Sequence, residues 1–127
     1  MEIPSTNELI TQSKTNVANT LRNLASAIEA GTVSRYEIHQ TSDGLITVKA
    51  DSSDGTKRMI QTQKSIEGYT KTSNEFIQKQ PPQIRLETVK KLVLEEKLNQ
   101  SQIAERTMYS QKTISNDIKK LRNLGEI

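Results

Sequence analysis

Pro81 and Pro82 stand side by side in a chain of 127 residues, and they divide it. Proline lacks a backbone N–H, fixes φ, and disfavours helix in the residue before it. An element arriving at this step stops, and a new one begins after it. The residues before the step are polar, with short apolar runs separated by glycine turns; those after it carry helical spacing to the last residue. The chain is therefore read as two small parts, residues 1–80 and 81–127. Apolar residues make up 32% of the chain, and Ser, Thr, Asn and Gln supply 44 residues. Ordinary globular domains are about 45–50% apolar. Each core is thus expected to be thin, and help from a partner chain is expected.

The side chains that are missing exclude whole classes of function. There is no cysteine and one histidine, His39. Disulfide frameworks, zinc–thiolate sites, thiol nucleophiles and multi-histidine metal sites need more than this. Asp51 and Asp54 do not meet the spacing of a calcium loop and read as turn residues. The adjacent Glu95 and Glu96 point to different sides of a helix and read as solvated. No nucleophile–base pair or phosphate loop is visible, so no enzyme, metal or cofactor is expected. No apolar run approaches the ~18 residues of a membrane span. Met1-Glu2-Ile3-Pro4 lacks the basic and apolar regions of a secretory signal. The expectation is a cytoplasmic protein.

Residues 5–30 read as one long helix. Ser5-Thr6-Asn7-Glu8 fits a capping box, and Gly31 sits where a glycine ends a helix. Ile10, Val17, Leu21, Leu24 and Ile28 form a narrow stripe alternating fours and threes, with Lys14 in one slot. Such a seam packs on a single neighbour, either a second copy of the chain, which makes these five residues the candidate dimerisation element, or the adjoining sheet. Residues 36–40, 45–50 and 57–62 read as three short strands. They are separated by turns ending in Asp43-Gly44 and Asp54-Gly55, strong hairpin signals. His39 is expected on a strand surface. A short helix is expected over 73–79. The predicted fold class is α+β: a long helix and a three-stranded antiparallel meander, followed by three helices. The first part is a dimerisation or interaction region.

The second part carries the functional signal. Leu86, Val89, Leu92 and Val93 mark a helix over 83–98. Asn99 with Gln102 reads as a cap for a short helix over 100–107, with Ile103 and Ala104 inward. Ser110 caps a last helix over 111–124, with Ile114, Ile118, Leu121 and Leu124 inward, and Gly125 stops it. Net charge runs from −1 over residues 1–50 through +1 over 51–80 to +3 over 81–127. Within 106–122 five basic side chains face one acidic residue, Asp117. This excess suits nucleic acid, though a solvated helix face gives the same count.

Gln102-Ile103-Ala104-Glu105-Arg106, Tyr109-Ser110-Gln111-Lys112-Thr113-Ile114-Ser115-Asn116-Asp117-Ile118-Lys119-Lys120-Leu121 and Leu124-Gly125 together resemble the helix-turn-helix of bacterial transcription regulators. The flavour is that of the winged-helix, DeoR-like repressors. The resemblance covers residues 84–127 only. It departs from the family at Thr107-Met108, where Leu-Gly is usual. The family also continues past Leu-Gly into a β-hairpin wing, which the sequence up to Ile127 does not contain. The resemblance implies that the last helix enters the DNA major groove.

On a helical wheel, Lys112, Asn116, Lys119 and Asn123 lie roughly 140–180° from Ile114. Gln111, Lys112, Thr113, Ser115 and Asn116 are the candidates for base edges, since Asn and Gln pair with adenine and Lys reaches guanine. Lys119, Lys120 and Arg122 suit phosphates, as do the N–H groups of Gln100 and Ser101. The reading is a sequence-specific, dimeric double-stranded DNA-binding protein, a small transcriptional repressor or a plasmid- or phage-type DNA-organising factor. The alternative is a structural or adaptor protein whose last three helices only pack, while residues 1–80 bind a protein partner.

Overall fold

The computed structural model describes residues 6–127, with side chains from Val17 onward. The Ser5–Glu8 capping box and the Ile10 side chain lie outside the described residues. The chain forms two compact units, residues 1–76 and 77–127. The second begins just ahead of the proline step.

The first unit is one helix and a sheet. Helix α1 (Thr6–Glu29) is followed by β1 (Val33–Gln40), β2 (Leu45–Ser52), β3 (Lys57–Ile66) and β4 (Tyr69–Gln78), a four-stranded sheet in the order β1-β2-β3-β4. At the C-terminus of α1 the Gly31 N–H donates to Ile28 O (3.1 Å) and the Thr32 N–H to Ala27 O (3.0 Å). This Schellman pairing satisfies two end carbonyls and turns the chain into β1. β1 and β2 pair antiparallel with Ile38 beside Val48, and β2 and β3 with Val48 beside Gln61.

The core of this unit is narrow. Val48 is fully buried under Val17 and Leu24, with Leu21, Val33, Ile46, Ala50 and Met59 around them. The same face continues across β3 as amides, because Gln61 and Gln63 occupy the positions opposite Val48 and Ile46. Gln61 Nε2 donates to Asn74 Oδ1 of β4 at 2.8 Å, a side-chain bridge where a wider core would hold aliphatic residues. Within the described part of the α1 stripe, Val17, Leu21 and Leu24 pack on the sheet, and Ile28 stands outside that cluster. Val17 and Leu24 are buried, Leu21 is half-buried, and Ile28 stays 39% exposed.

The sheet corrects the predicted fold. The three expected strands are longer than their apolar runs, and a fourth is present where a short helix was expected over 73–79. The apolar residues there, Tyr69, Phe76 and Ile77, suggest no strand by themselves. The pairing is instead carried by polar residues. Thr62 and Ser73 join hydroxyls across β3 and β4 at 2.8 Å, and Gln61 meets Asn74. β-Branched Thr70 and Thr72 suit a pleated strand.

The second unit is three helices: α2 (Pro82–Leu94), α3 (Gln100–Thr107) and α4 (Gln111–Asn123). Val89, Ile103, Ala104, Ile114, Ile118 and Leu121 are its buried core, with Leu86, Leu92, Val93, Leu98, Tyr109 and Ile127 packed around them. α2 ends four residues before the expected 98. Its chain reverses through Lys97, at φ 54°, and the Leu98 N–H returns to Leu92 O at 3.1 Å. Leu98 therefore reaches the core from a turn and not from the helix. Leu124, expected inward, is 62% exposed. α4 closes one residue earlier in a Schellman pairing, with Gly125 N–H to Arg122 O and Glu126 N–H to Leu121 O, both 2.9 Å. That turn brings Ile127 to the core in place of Leu124, and Lys90 holds Glu126 at 2.9 Å.

Two predictions concern the sheet. Gly44 sits at φ 88°, and a Cβ there would run into the backbone oxygen of Ser65, whose N–H donates to Gly44 O at 3.0 Å. Gly44→Ala is expected to cost the first unit more than about 2 kcal/mol in urea unfolding, combining left-handed strain with a backbone clash. The second prediction is acid sensitivity. Arg58 binds Asp51 through two bonds of 2.7 and 3.0 Å, lowering that carboxyl below its ordinary range. Hydrogen bonds from Ser52 and Thr56 bring exposed Asp54 down to about 2. A carboxyl with a depressed folded pKa stabilises the fold above its unfolded value, ~3.9, and that contribution is lost as pH falls through the folded value. Hydrogen exchange of the strand amides should be unchanged from pH 7 to about 4.5 after correction for intrinsic rates, then show falling protection towards pH 2. Constant protection down to pH 2 would contradict it.

Candidate nucleic-acid interface

The geometry of α3 and α4 follows from their caps. Asn99 Oδ1 accepts the Gln102 N–H and Gln102 Oε1 accepts the Asn99 N–H, both at 2.9 Å, a reciprocal capping box. The first-turn N–H groups of Gln100 and Ser101 have no acceptor within the helix, and both residues are exposed. α3 ends at Met108, which takes the left-handed conformation at φ 63°, ψ 31°. The methionine thus adopts the backbone that the family pattern gives to glycine, at a cost of about 1–2 kcal/mol. Ser110 then caps α4 by accepting the Thr113 N–H at 3.2 Å.

α4 buries Ile114, Ile118 and Leu121 and turns its polar residues outward. Gln111, Lys112, Asn116, Lys119, Lys120, Arg122 and Asn123 are exposed. Thr113 and Ser115 are half-buried, and the Thr113 hydroxyl lies 3.0 Å from Ser110 Oγ. The ten predicted DNA-contacting residues thus fall at the start of α3 and on the outer and flanking positions of α4. Thr113 is the one tied to a cap. Lys120 and Arg122 occupy the last turn, where cations suit the helix dipole.

Asp117 carries the arrangement that the sequence reading missed. It is 7% exposed and bound by Arg85 of α2 through Nε–Oδ2 at 2.7 Å and Nη2–Oδ1 at 3.0 Å. The carboxylate raises the Arg85 pKa above its ordinary value. The Arg85 guanidinium also lies 4.4 Å from the Tyr109 ring centre, and Lys79 Nζ lies 4.7 Å from it, both within cation–π range. The Tyr109 hydroxyl donates to Gln80 O, and the Thr88 hydroxyl to Gln80 Oε1 at 2.6 Å. The signal in the sequence was angular. Asp117 lies about 60° from Ile114 on the wheel, too near the apolar side for a solvated residue. Pairing it with Arg85 needed the fold.

The remaining polar candidates lie in the first unit. Asp51 and Asp54 are committed to Arg58 and to the Ser52–Thr56 turn. His39 is exposed on β1, 3.6 Å from Glu37. Among the described residues no three His, Cys, Asp or Glu side chains gather where an ion would sit, and no helix is long and apolar enough to cross a membrane. Comparison of the chain with protein-family models, with curated proteins and with solved structures finds no match.

The Arg85–Asp117 pair generates a prediction. Both side chains are nearly buried, at 12% and 9% exposure, so removing one partner strands the other charge. Asp117→Ala should cost the second unit about 3–5 kcal/mol in denaturant unfolding. Arg85→Met combined with Asp117→Leu should cost much less, since no charge is left buried. Equal losses in the single and double variants would show that packing, not pairing, is what matters there.

Proposed function

We propose that the chain is a sequence-specific double-stranded DNA-binding protein that acts as a dimer, as a small cytoplasmic transcriptional repressor or DNA-organising factor. α4 is the reading helix, set in the major groove. One observation carries this reading. The single carboxylate of α4, Asp117, is buried against Arg85, so every charged residue on the exposed surface of the helix is a cation. A solvated helix with no ligand would gain from mixing signs; this one presents lysines, an arginine, asparagines and a glutamine. The capped α3 and the left-handed turn at Met108 add a helix–turn–helix connection of the length this role needs.

The roles divide by position. Gln111, Lys112, Thr113, Ser115 and Asn116, on the first two turns, read base edges. Lys119, Lys120 and Arg122 bind phosphates, and the N–H groups of Gln100 and Ser101 meet another. A single unit of this size supplies few contacts, so specific binding takes two copies on two half-sites.

The test is selection of bound fragments from a random duplex pool at low and at physiological salt. Enrichment of an inverted repeat that survives the higher salt is the expected outcome. Asn116→Ala should then relax preference at one base position at a cost of about 1–3 kcal/mol. Lys119→Ala should weaken all sequences alike and lower the salt slope by about 1. Binding that vanishes with salt and enriches nothing would reduce the face to a basic surface and overturn the proposal.

A further inference from the structure

β1 is an edge of the sheet, and its residues from Ser34 to Gln40 are exposed throughout. An edge strand offers a row of unpaired N–H and C=O groups. Folds blunt such edges with proline, charged side chains (lysine above all), a bulge or a covering segment. β1 holds neither proline nor lysine, its two charges, Arg35 and Glu37, are of opposite sign and so can pair across an edge, and its bulge lies at the very start, between Val33 and Arg35. Tyr36 and Ile38 are 54% and 48% exposed. Their partners Ala50 and Val48 place both on the face that carries α1. The other face of the strand alternates Arg35, Glu37 and His39. The strand neighbour of Arg35 is Asp51, and that carboxylate is already held by Arg58 at 2.7 Å.

From these residues we infer that β1 pairs antiparallel with β1 of a second copy, about a two-fold axis at Tyr36. The strand is self-complementary in that register. Tyr36 faces its own copy, and Arg35 faces Glu37 twice, once on each side of the axis. Ile38 falls diagonal to the opposite Tyr36. An axis at Glu37 would set two carboxylates against each other. One at Ile38 would set Ile38 against its copy and Glu37 against the neutral His39 on both sides, but would put Tyr36 against Gln40 and leave Arg35 facing Thr41. Two pairings of full opposite charge, Arg35 with Glu37, and the facing tyrosine rings therefore select the axis at Tyr36. Two sheets join into one of eight strands, and the apolar strip beside each α1 is covered. The inference deepens the proposed function by supplying its dimer. It is tested without DNA, so that either can fail alone.

The full chain is measured by sedimentation equilibrium, and a monomer–dimer equilibrium is the expected result. Arg35→Glu alone and Glu37→Arg alone place like charges opposite each other, and each should weaken the dimer about tenfold or more. The double variant swaps the pair and should restore affinity to within about threefold of the parent. These side chains are exposed, so folding is retained, and a thermal melt verifies it for each variant. The chain has no cysteine, so a single introduced one reports the register. Tyr36→Cys should oxidise to a disulfide dimer, because directly opposed residues lie about 4.5–5.5 Å apart. Ile38→Cys should not, since its two copies lie ~14 Å apart along the strands. A chain that is monomeric at every concentration overturns the inference. So does a dimer indifferent to the reversals, and so does cross-linking at position 38 in preference to 36.

Discussion

The ion pair between Arg85 and Asp117 decides which surface α4 shows. A carboxylate about 60° from the centre of the buried stripe has two options: to remain at the helix margin as a solvated charge, or to turn inward against a partner. Arg85 supplies the second. Its bidentate fork fits the carboxylate, and its far side is stacked against Tyr109. Desolvating an isolated carboxylate would cost more than this small unit can tolerate, so the pair and the packing stand together. The consequence reaches beyond stability. α2 and α4 are held at a fixed rotation, Tyr109 ties the turn before α4 back to Gln80, and the exposed face of α4 is left with cations and amides.

The first unit is shaped by a different shortage. One helix with a narrow apolar stripe cannot cover four strands. α1 centres on Val48, and its buried residues Val17 and Leu24 are spent there. Away from that centre the inner face turns polar, and Gln61 with Asn74 replaces aliphatic packing by a hydrogen bond. Further out the apolar residues have no cover at all. Tyr36 and Ile38 on the β1 side and Phe76 on β4, 83% exposed, mark the two flanks that α1 does not reach. The low apolar content of the chain and these exposed flanks are one fact seen at two levels.

What could be read from the sequence was whatever local physics sets. Gly31 at the end of α1, the Asp-Gly hairpins, the Asn99–Gln102 box and the Ser110 cap each depend on a few neighbouring residues, and each occupies the place its chemistry suggests. The missed elements depend on partners distant in sequence. β4 is a strand because Ser73 and Asn74 meet Thr62 and Gln61, and its own apolar residues do not alternate. Leu124 and Ile127 exchange places because a turn at Gly125 follows the helix one residue sooner. The α1 stripe fitted a second copy or a sheet equally well, and the choice lay in Val48, far down the chain. For the candidate interface, the outward positions of α4 followed from its period, whereas the burial of Asp117 did not.

The division into two units has a consequence for how the proposed activity would be organised. The proposed reading helix, α4, belongs to the second unit and the free strand edge to the first, so no residue is asked to serve both. Pairing through β1 involves a short segment, with a few cross-strand contacts each worth a fraction of a kcal/mol to about 1 kcal/mol. A dimer held this way is modest by itself. On a duplex carrying two half-sites the second copy arrives at a raised effective concentration, and weak pairing then suffices to make binding cooperative. Weak pairing of this kind makes occupancy depend steeply on both half-sites, because the β1 contacts and both sets of DNA contacts form together only when both sites are present.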